Sequence, residues 1–182
     1  MRKIVAGLFM SLDGVVESPA DWAFQYSSDE MWAGIVAGVA QADTVLLGRR
    51  TYENFATFWP TQGSEVPMSD FLNNSPKYVV SATLDTLEWA NSSSLTGDLA
   101  DELTKLKRRA GGNIQIPGSP TLVRSLLRDG LLDELSLNVC PIVVGSGMRL
   151  FDGLTGQVRL ELVDSTSLSS GVVGVTYRPE RA

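Results

Sequence analysis

Short apolar runs that close on glycine and pass straight into a helical segment limit this chain's folding options more than any other feature. Thr44-Val45-Leu46-Leu47 is a β-branched strand signal that closes on Gly48, and Arg49–Phe58 follows as a helix stopped by Pro60. Asn113–Ile116 repeats the pattern. It closes on Pro117-Gly118, Ser119 is a good N-cap, Pro120 suits the first helical position, and Thr121–Arg128 carries the helix to Gly130. Ile4–Met10 is another strand-length apolar run. Ser27-Ser28-Asp29-Glu30 then opens a helix to about Gln41, with Ser27 and Glu30 at the spacing of a capping box. Strands that alternate with helices imply an α/β sheet covered on both faces.

The rest of the chain extends the pattern. Lys77–Ser81 reads as a strand and Glu88–Asn91 as a short one, while 61–69 reads as loop. Asp98 to Arg109 is a helix with Leu99, Leu103 and Leu106 on one face, ended by Gly111-Gly112. Leu135–Val144 reads as a strand whose Pro141 implies an edge or a bulge. Arg159–Ser167 and Val172–Tyr177, joined through Ser169-Ser170-Gly171, form a terminal antiparallel hairpin that makes the sheet mixed. With no repeat or linker in its 182 residues, the whole chain (1–182) is expected to be one domain.

Composition removes whole classes of chemistry. There is no histidine, which excludes Ser-His-Asp and Cys-His catalysis and His-ligated zinc. The single cysteine, Cys140, excludes an internal disulfide and reads as a small buried hydrophobe. The net charge of −6 argues against nucleic acid as a partner. The basic run Lys105, Lys107, Arg108, Arg109 suits the negative end of a helix dipole. No run reaches the roughly 18–20 apolar residues of a membrane span, and Ile4–Met10 lacks a cleavage site, so a cytoplasmic location is expected.

Ligands of such sheets favour the carboxyl ends of parallel strands. Two places qualify. At Gly48-Arg49-Arg50-Thr51, unpaired helix N–H groups, a hydroxyl and two forked cations suit a phosphate ester. The bland alternative is a solvated arginine pair, but cations are disfavoured at that helix end. Ile116-Pro117-Gly118-Ser119-Pro120-Thr121-Leu122 has the same physics without charge, or is a plain Ser-Pro helix start. Asp13-Gly14 either lines a site or makes a turn. Gly145-Ser146-Gly147 lacks the third glycine of a dinucleotide fingerprint, since Leu150 holds that place.

Taken in order, these blocks resemble the dihydrofolate reductase-like superfamily, and within it the C-terminal reductase domain of riboflavin-biosynthesis deaminase-reductases and its stand-alone relatives. The matching residues are Ser11-Leu12-Asp13-Gly14, Asp43 to Glu53, Lys77 to Ser81, Gly118 to Leu122, Gly130 to Leu135, and Pro141 to Phe151. The resemblance implies a three-layer α/β/α fold around a mixed, mostly parallel eight-stranded sheet. It implies NADPH held across that sheet: Gly48, Arg49, Arg50 and Thr51 on the adenosine-side phosphates, Ser81 near the ribose, and Gly118, Ser119, Thr121 and Leu122 on the pyrophosphate. Asp13 and Gly14 would lie near the nicotinamide. Many relatives carry an arginine after the serine of the Val-Val-Ser block. Ala82 stands there in this chain, so NADH remains a second candidate cofactor.

The implied activity is hydride transfer to a C=N or C=O carbon of a small pterin-like or ribosylaminopyrimidine-like substrate. Where dihydrofolate reductases carry an acid, the count from Gly48 reaches Trp32. Asp29 and Glu30 nearby, with Asp13, are the catalytic candidates; water or the substrate itself is the other proton source. A nucleotide-binding module without turnover, and a true dihydrofolate reductase, are the alternatives. The resemblance also implies a homodimer, with Pro141 and Ile142-Val143-Val144 as its edge.

Overall fold

The computed structural model describes residues 1–180. In chain order the elements are β1 (Ile4–Ser11), α1 (Asp29–Val39), β2 (Ala42–Gly48), α2 (Arg49–Phe58), α3 (Ser69–Asn74), β3 (Lys77–Val80) and β4 (Ser92–Leu95). There follow α4 (Leu99–Arg108), β5 (Asn113–Pro117), α5 (Pro120–Arg128), β6 (Glu134–Cys140), β7 (Leu160–Ser167) and β8 (Val173–Pro179), and single 3-10 turns at Pro19–Asp21, Phe24–Tyr26 and Trp59–Thr61. The eight strands form one sheet in the order β4-β3-β2-β5-β1-β6-β8-β7. Strands β4 to β6 of that order pair in parallel, and β8 and β7 run antiparallel as the closing hairpin.

The two-residue period of a strand sorts side chains between two cores. Ile4, Ala6 and Leu8 of β1, Leu46 of β2, and Ile114 and Ile116 of β5 pack with Leu103 and Leu106 of α4 and Val123 and Leu126 of α5. Val45 and Leu47 of β2 turn to the other face, against Tyr52 of α2, Leu72 of α3 and Trp89. Trp22, Cys140 and Val172 build a third cluster with Phe9 and Tyr26 beside α1's end of that same face. Helices therefore cover both sides, giving the expected α/β/α layering. Burial of Cys140 pushes its thiol up to about 11, as suits an inert core sulfur.

Several sequence expectations are corrected. Glu88–Asn91 is not a strand; the edge strand is Ser92–Leu95, a polar run with no hydrophobic signal. The stretch 61–69 is not all loop: α3 begins at Ser69 and a 3-10 turn ends at Thr61. Strand β6 stops at Cys140, so Pro141 to Val144 lie outside it. Ser28, not Ser27, caps α1, its hydroxyl accepting from the Met31 N–H, and Glu30 turns to Ser169 rather than back to Ser27.

Lys77 is fully buried and donates to the Leu72, Asn73 and Ser75 carbonyls at 2.8, 3.2 and 2.9 Å, closing the C-terminus of α3. Desolvation pushes its ammonium down to about 8. At the amino edge of the sheet, buried Arg2 bonds Asp43, Thr44 Oγ1 and the Gly112 carbonyl, tying the chain start to β2 and β5. Burial favours the protonated Asp43 carboxyl. The Gly112 N–H, the Thr44 hydroxyl and the Arg2 charge outweigh it and hold Asp43 below the usual carboxylate range.

Candidate active site

Topology fixes where a ligand fits. The helix after β2 packs on one face of the sheet, the helix after β5 on the other, and the helix after β1 on the first again. The chain switches face on both sides of β5, so crevices open at the carboxyl ends of β2, β5 and β1. Strand β5 leaves the sheet at Pro117, level with Gly7, whereas β1 continues against β6 to Ser11. From Leu8 to Ser11 the β5 side of β1 has no strand partner among the described residues. At about 3.3 Å per residue that leaves a slot about 13 Å long. Phe9 and Met10, in mid-sheet, are only half-buried because of it.

The two glycine turns meet in this crevice. The Ser119 hydroxyl accepts from the Gly48 N–H at 3.0 Å, and the Ser119 N–H donates to Thr51 Oγ1 at 3.1 Å. Ser119 is buried and left-handed at φ 55, so its side chain braces the neighbouring turn and does not cap its own helix. Neither α2 nor α5 has a side-chain cap. Their first N–H groups have no side-chain partner. Gly118, at φ +85, puts its missing Cβ 3.5 Å from Thr51, and a Cβ on Gly48 would sit 3.6 Å from Leu122. Both glycines keep the crevice floor open to an approaching group.

Charge divides the site. Arg49 and Arg50 stand exposed at the positive end of α2, with no acid in its first turn. Arg49 reaches Glu53 one turn on, at 3.4 Å, while Arg50 has no side-chain partner among the described residues. Ser81, one strand further out, accepts from the Thr83 and Leu84 N–H groups at 3.2 and 3.1 Å. Thr121 approaches the Met148 sulfur at 3.9 Å, which links the α5 turn to the loop after β6.

Asp13 lies on the far side of β5. Its carboxylate accepts from the Ser11 hydroxyl at 2.7 Å and from the Val144 and Gly145 N–H groups at 3.0 and 2.9 Å. These bonds, the Ser11 hydroxyl first, hold it ionised far below the usual carboxylate range. Arg149 donates to the Asp13 carbonyl at 2.9 Å, and Glu17 accepts from the Met148 N–H at 2.9 Å. The loops after β1 and β6 are thus stitched into one wall. Glu17 lies outside every matched block, and Arg149 lies within the Pro141 to Phe151 block without a role assigned to it. Glu30 accepts from the Ser169 N–H and hydroxyl, both at 3.1 Å, drawing the β7–β8 turn to the start of α1. Asp29 is exposed beside it. Among the described residues no acidic or cysteine cluster of metal-binding size occurs, and no helix is long and apolar enough to cross a membrane.

Comparison with known proteins follows this geometry. Residues 2–174 match the sequence model of the family described as RibD C-terminal domain. Uncharacterized protein YyaP of Bacillus subtilis (strain 168) is 29% identical over 183 residues, 97% of this chain and 94% of that one. A structure from Shewanella sp. PV-4, assigned to riboflavin biosynthesis, superposes with a TM-score of 0.81 at 22% identity over 98% of this chain and 99% of its own. A Thermotoga maritima diaminohydroxyphosphoribosylaminopyrimidine deaminase/5-amino-6-(5-phosphoribosylamino)uracil reductase superposes at 0.69 and 15% identity. That match covers 98% of this chain and 57% of the longer protein. Dihydrofolate reductase from Enterococcus faecalis, complexed with NADP(H), gives 0.65 and 15% over 98% and 97%. These structures share the fold.

Proposed function

The chain belongs to the RibD C-terminal domain family, and on that premise we propose that it is a reductase dependent on a nicotinamide dinucleotide, NADPH or NADH, that acts on a small C=N or C=O substrate. The observation that carries the reading is the pair of uncapped helix starts, bonded to each other at adjacent strand ends, with two cations on one of them. Strand ends about 4.8 Å apart set Ser81, Gly48 and Gly118 side by side, with Asp13 beyond the unpaired stretch of β1, which suits an elongated, doubly phosphorylated ligand.

In this reading Gly48, Arg49, Arg50, Thr51 and Ser81 hold the adenosine end. Gly118, Ser119, Thr121 and Leu122 hold the pyrophosphate, with Ser119 and Thr51 keeping the two turns in register. The dinucleotide supplies the hydride when bound. The nitrogen or oxygen of an acceptor reduced in this way would need a proton, which a side chain of this wall or a water would have to supply. Asp13, already ionised, has no proton to give and serves to hold the wall beside the slot. Asp29 and Glu30, at the start of α1, are the carboxylates left to orient a proton-carrying water.

Tryptophan-fluorescence titration with NADPH and NADH tests the reading, and binding of neither at millimolar concentration would sink it. The ionised Asp13 favours a second reading, a nucleotide-binding module without turnover. Cofactor that binds yet is never oxidised across pterins, ribosylaminopyrimidines and aldehydes would select that second reading.

A further inference from the structure

Resting on the reductase reading, we infer that the substrate is a flat heterocycle without a phosphate or other anionic group, and that the site rejects phosphorylated forms. The first support is a charge census of the slot's walls. Residues 4–48 contain no lysine or arginine, while Asp13, Glu17, Asp21, Asp29 and Glu30 all fall in the loop after β1 or the first turn of α1. The β7–β8 turn adds only Ser169, Ser170 and Gly171.

Arg149, in the loop after β6, and Arg124 of α5 are bonded to the backbone of this wall. Arg149 donates to the Asp13 and Gly145 carbonyls at 2.9 and 3.4 Å and approaches the Asp13 carboxylate at 3.5 Å. Arg124 donates to the Leu150 and Arg149 carbonyls at 3.1 and 3.2 Å. A phosphate brought here meets the Asp13 and Glu17 carboxylates, and the Arg149 and Arg124 guanidiniums beside them already bond backbone carbonyls. Like charge at close range opposes binding. Arg50, without a side-chain partner among the described residues, stands on the proposed cofactor side of β5.

The second support is the shape of the wall. Phe9, on the unpaired stretch of β1, makes edge contacts with Phe24 and Trp32 at centroid distances of 5.9 and 6.4 Å, and Phe24 and Trp32 lie 6.2 Å apart. Phe24 is 47% exposed and the other two are half-buried, so the three rings leave apolar faces uncovered beside the slot. Trp32 is held by its indole N–H on Ser27 Oγ at 2.7 Å. Open aromatic faces bounded by carboxylates and hydroxyls suit a planar ring that carries N–H donors or positive charge.

The experiment uses a matched pair, a ribosylaminopyrimidine and its 5′-phosphate, titrated calorimetrically into protein saturated with NADP+. The expected result is at least tenfold tighter binding of the unphosphorylated form, and about tenfold weaker binding of it by Phe24→Ala, with NADP+ affinity unchanged. Equal binding, tighter binding of the phosphate, or binding of neither at millimolar concentration would overturn the inference. Failure of NADP(H) itself to bind is measured separately in the fluorescence titration and rejects the reductase reading instead.

Discussion

At the scale of single residues, the roles that matter here are hydrogen-bond assignments. Ser119 sits where an N-cap belongs, yet its hydroxyl serves Gly48 on the neighbouring strand. Asp13 sits in a turn signal, yet its two oxygens take one hydroxyl and two backbone N–H groups from separate segments. A carboxylate whose pKa is lowered by folding contributes stability above its unfolded value, near 4, and loses it as pH falls through the folded value. Asp13→Asn is therefore expected to lower stability at pH 7, and the gap to wild type is expected to narrow below about pH 4. Urea denaturation at pH 7 and pH 3.5 measures this, and a gap independent of pH would contradict it. Arg50 has no side-chain partner among the described residues and stands at the end proposed to hold the cofactor's anionic groups. Arg50→Ala is expected to weaken NADPH by about tenfold and NADH less, since a charge-assisted contact is worth more than a neutral one. Equal loss in fluorescence titrations would show that Arg50 does not read a 2′-phosphate.

At the scale of elements, the strand–glycine–helix units were legible because glycine, proline and the apolar period act locally. Helices Arg49–Phe58 and Pro120–Arg128 fall where Gly48 and Ser119-Pro120 place them. Where tertiary contacts decide, sequence fails. Ser92–Leu95 becomes a strand because β3 offers it a free edge, with Lys77 to Val80 in register with it. Val144 leaves the β6 line because its N–H is claimed by Asp13. Gly112 belongs to this scale: a Cβ there would lie 2.3 Å from the Gln41 carbonyl oxygen, where the start of β5 meets the chain entering β2. Backbone has no room to yield, so Gly112→Ala is expected to cost about 2 kcal/mol or more in urea denaturation. A loss under about 0.5 kcal/mol would show that the two segments can separate freely.

At the scale of the whole molecule, strand order builds the site. The β2 and β5 turns are about seventy residues apart in sequence and adjacent in the sheet. The homodimer implied by resemblance remains a proposal at this scale. Its expected edge is not a strand, but Val143 is 68% exposed and α1 buries only Met31 and Val39 of its apolar length. A dimer is the expected species by size exclusion with light scattering, and Val143→Asp is expected to dissociate it. A wild-type mass of 19.6 kDa would rule it out. By itself the sequence determined the class of fold, the glycine turns and the absence of histidine chemistry, because each follows from local backbone preference or from composition. Only the tertiary structure decided that the two turns share a crevice, that Asp13 is an ionised brace, and that Arg50 stands on one side of β5 while the Asp13–Arg149 wall stands on the other. Those facts depend on strand order and on hydrogen bonds between distant residues, which no local pattern encodes.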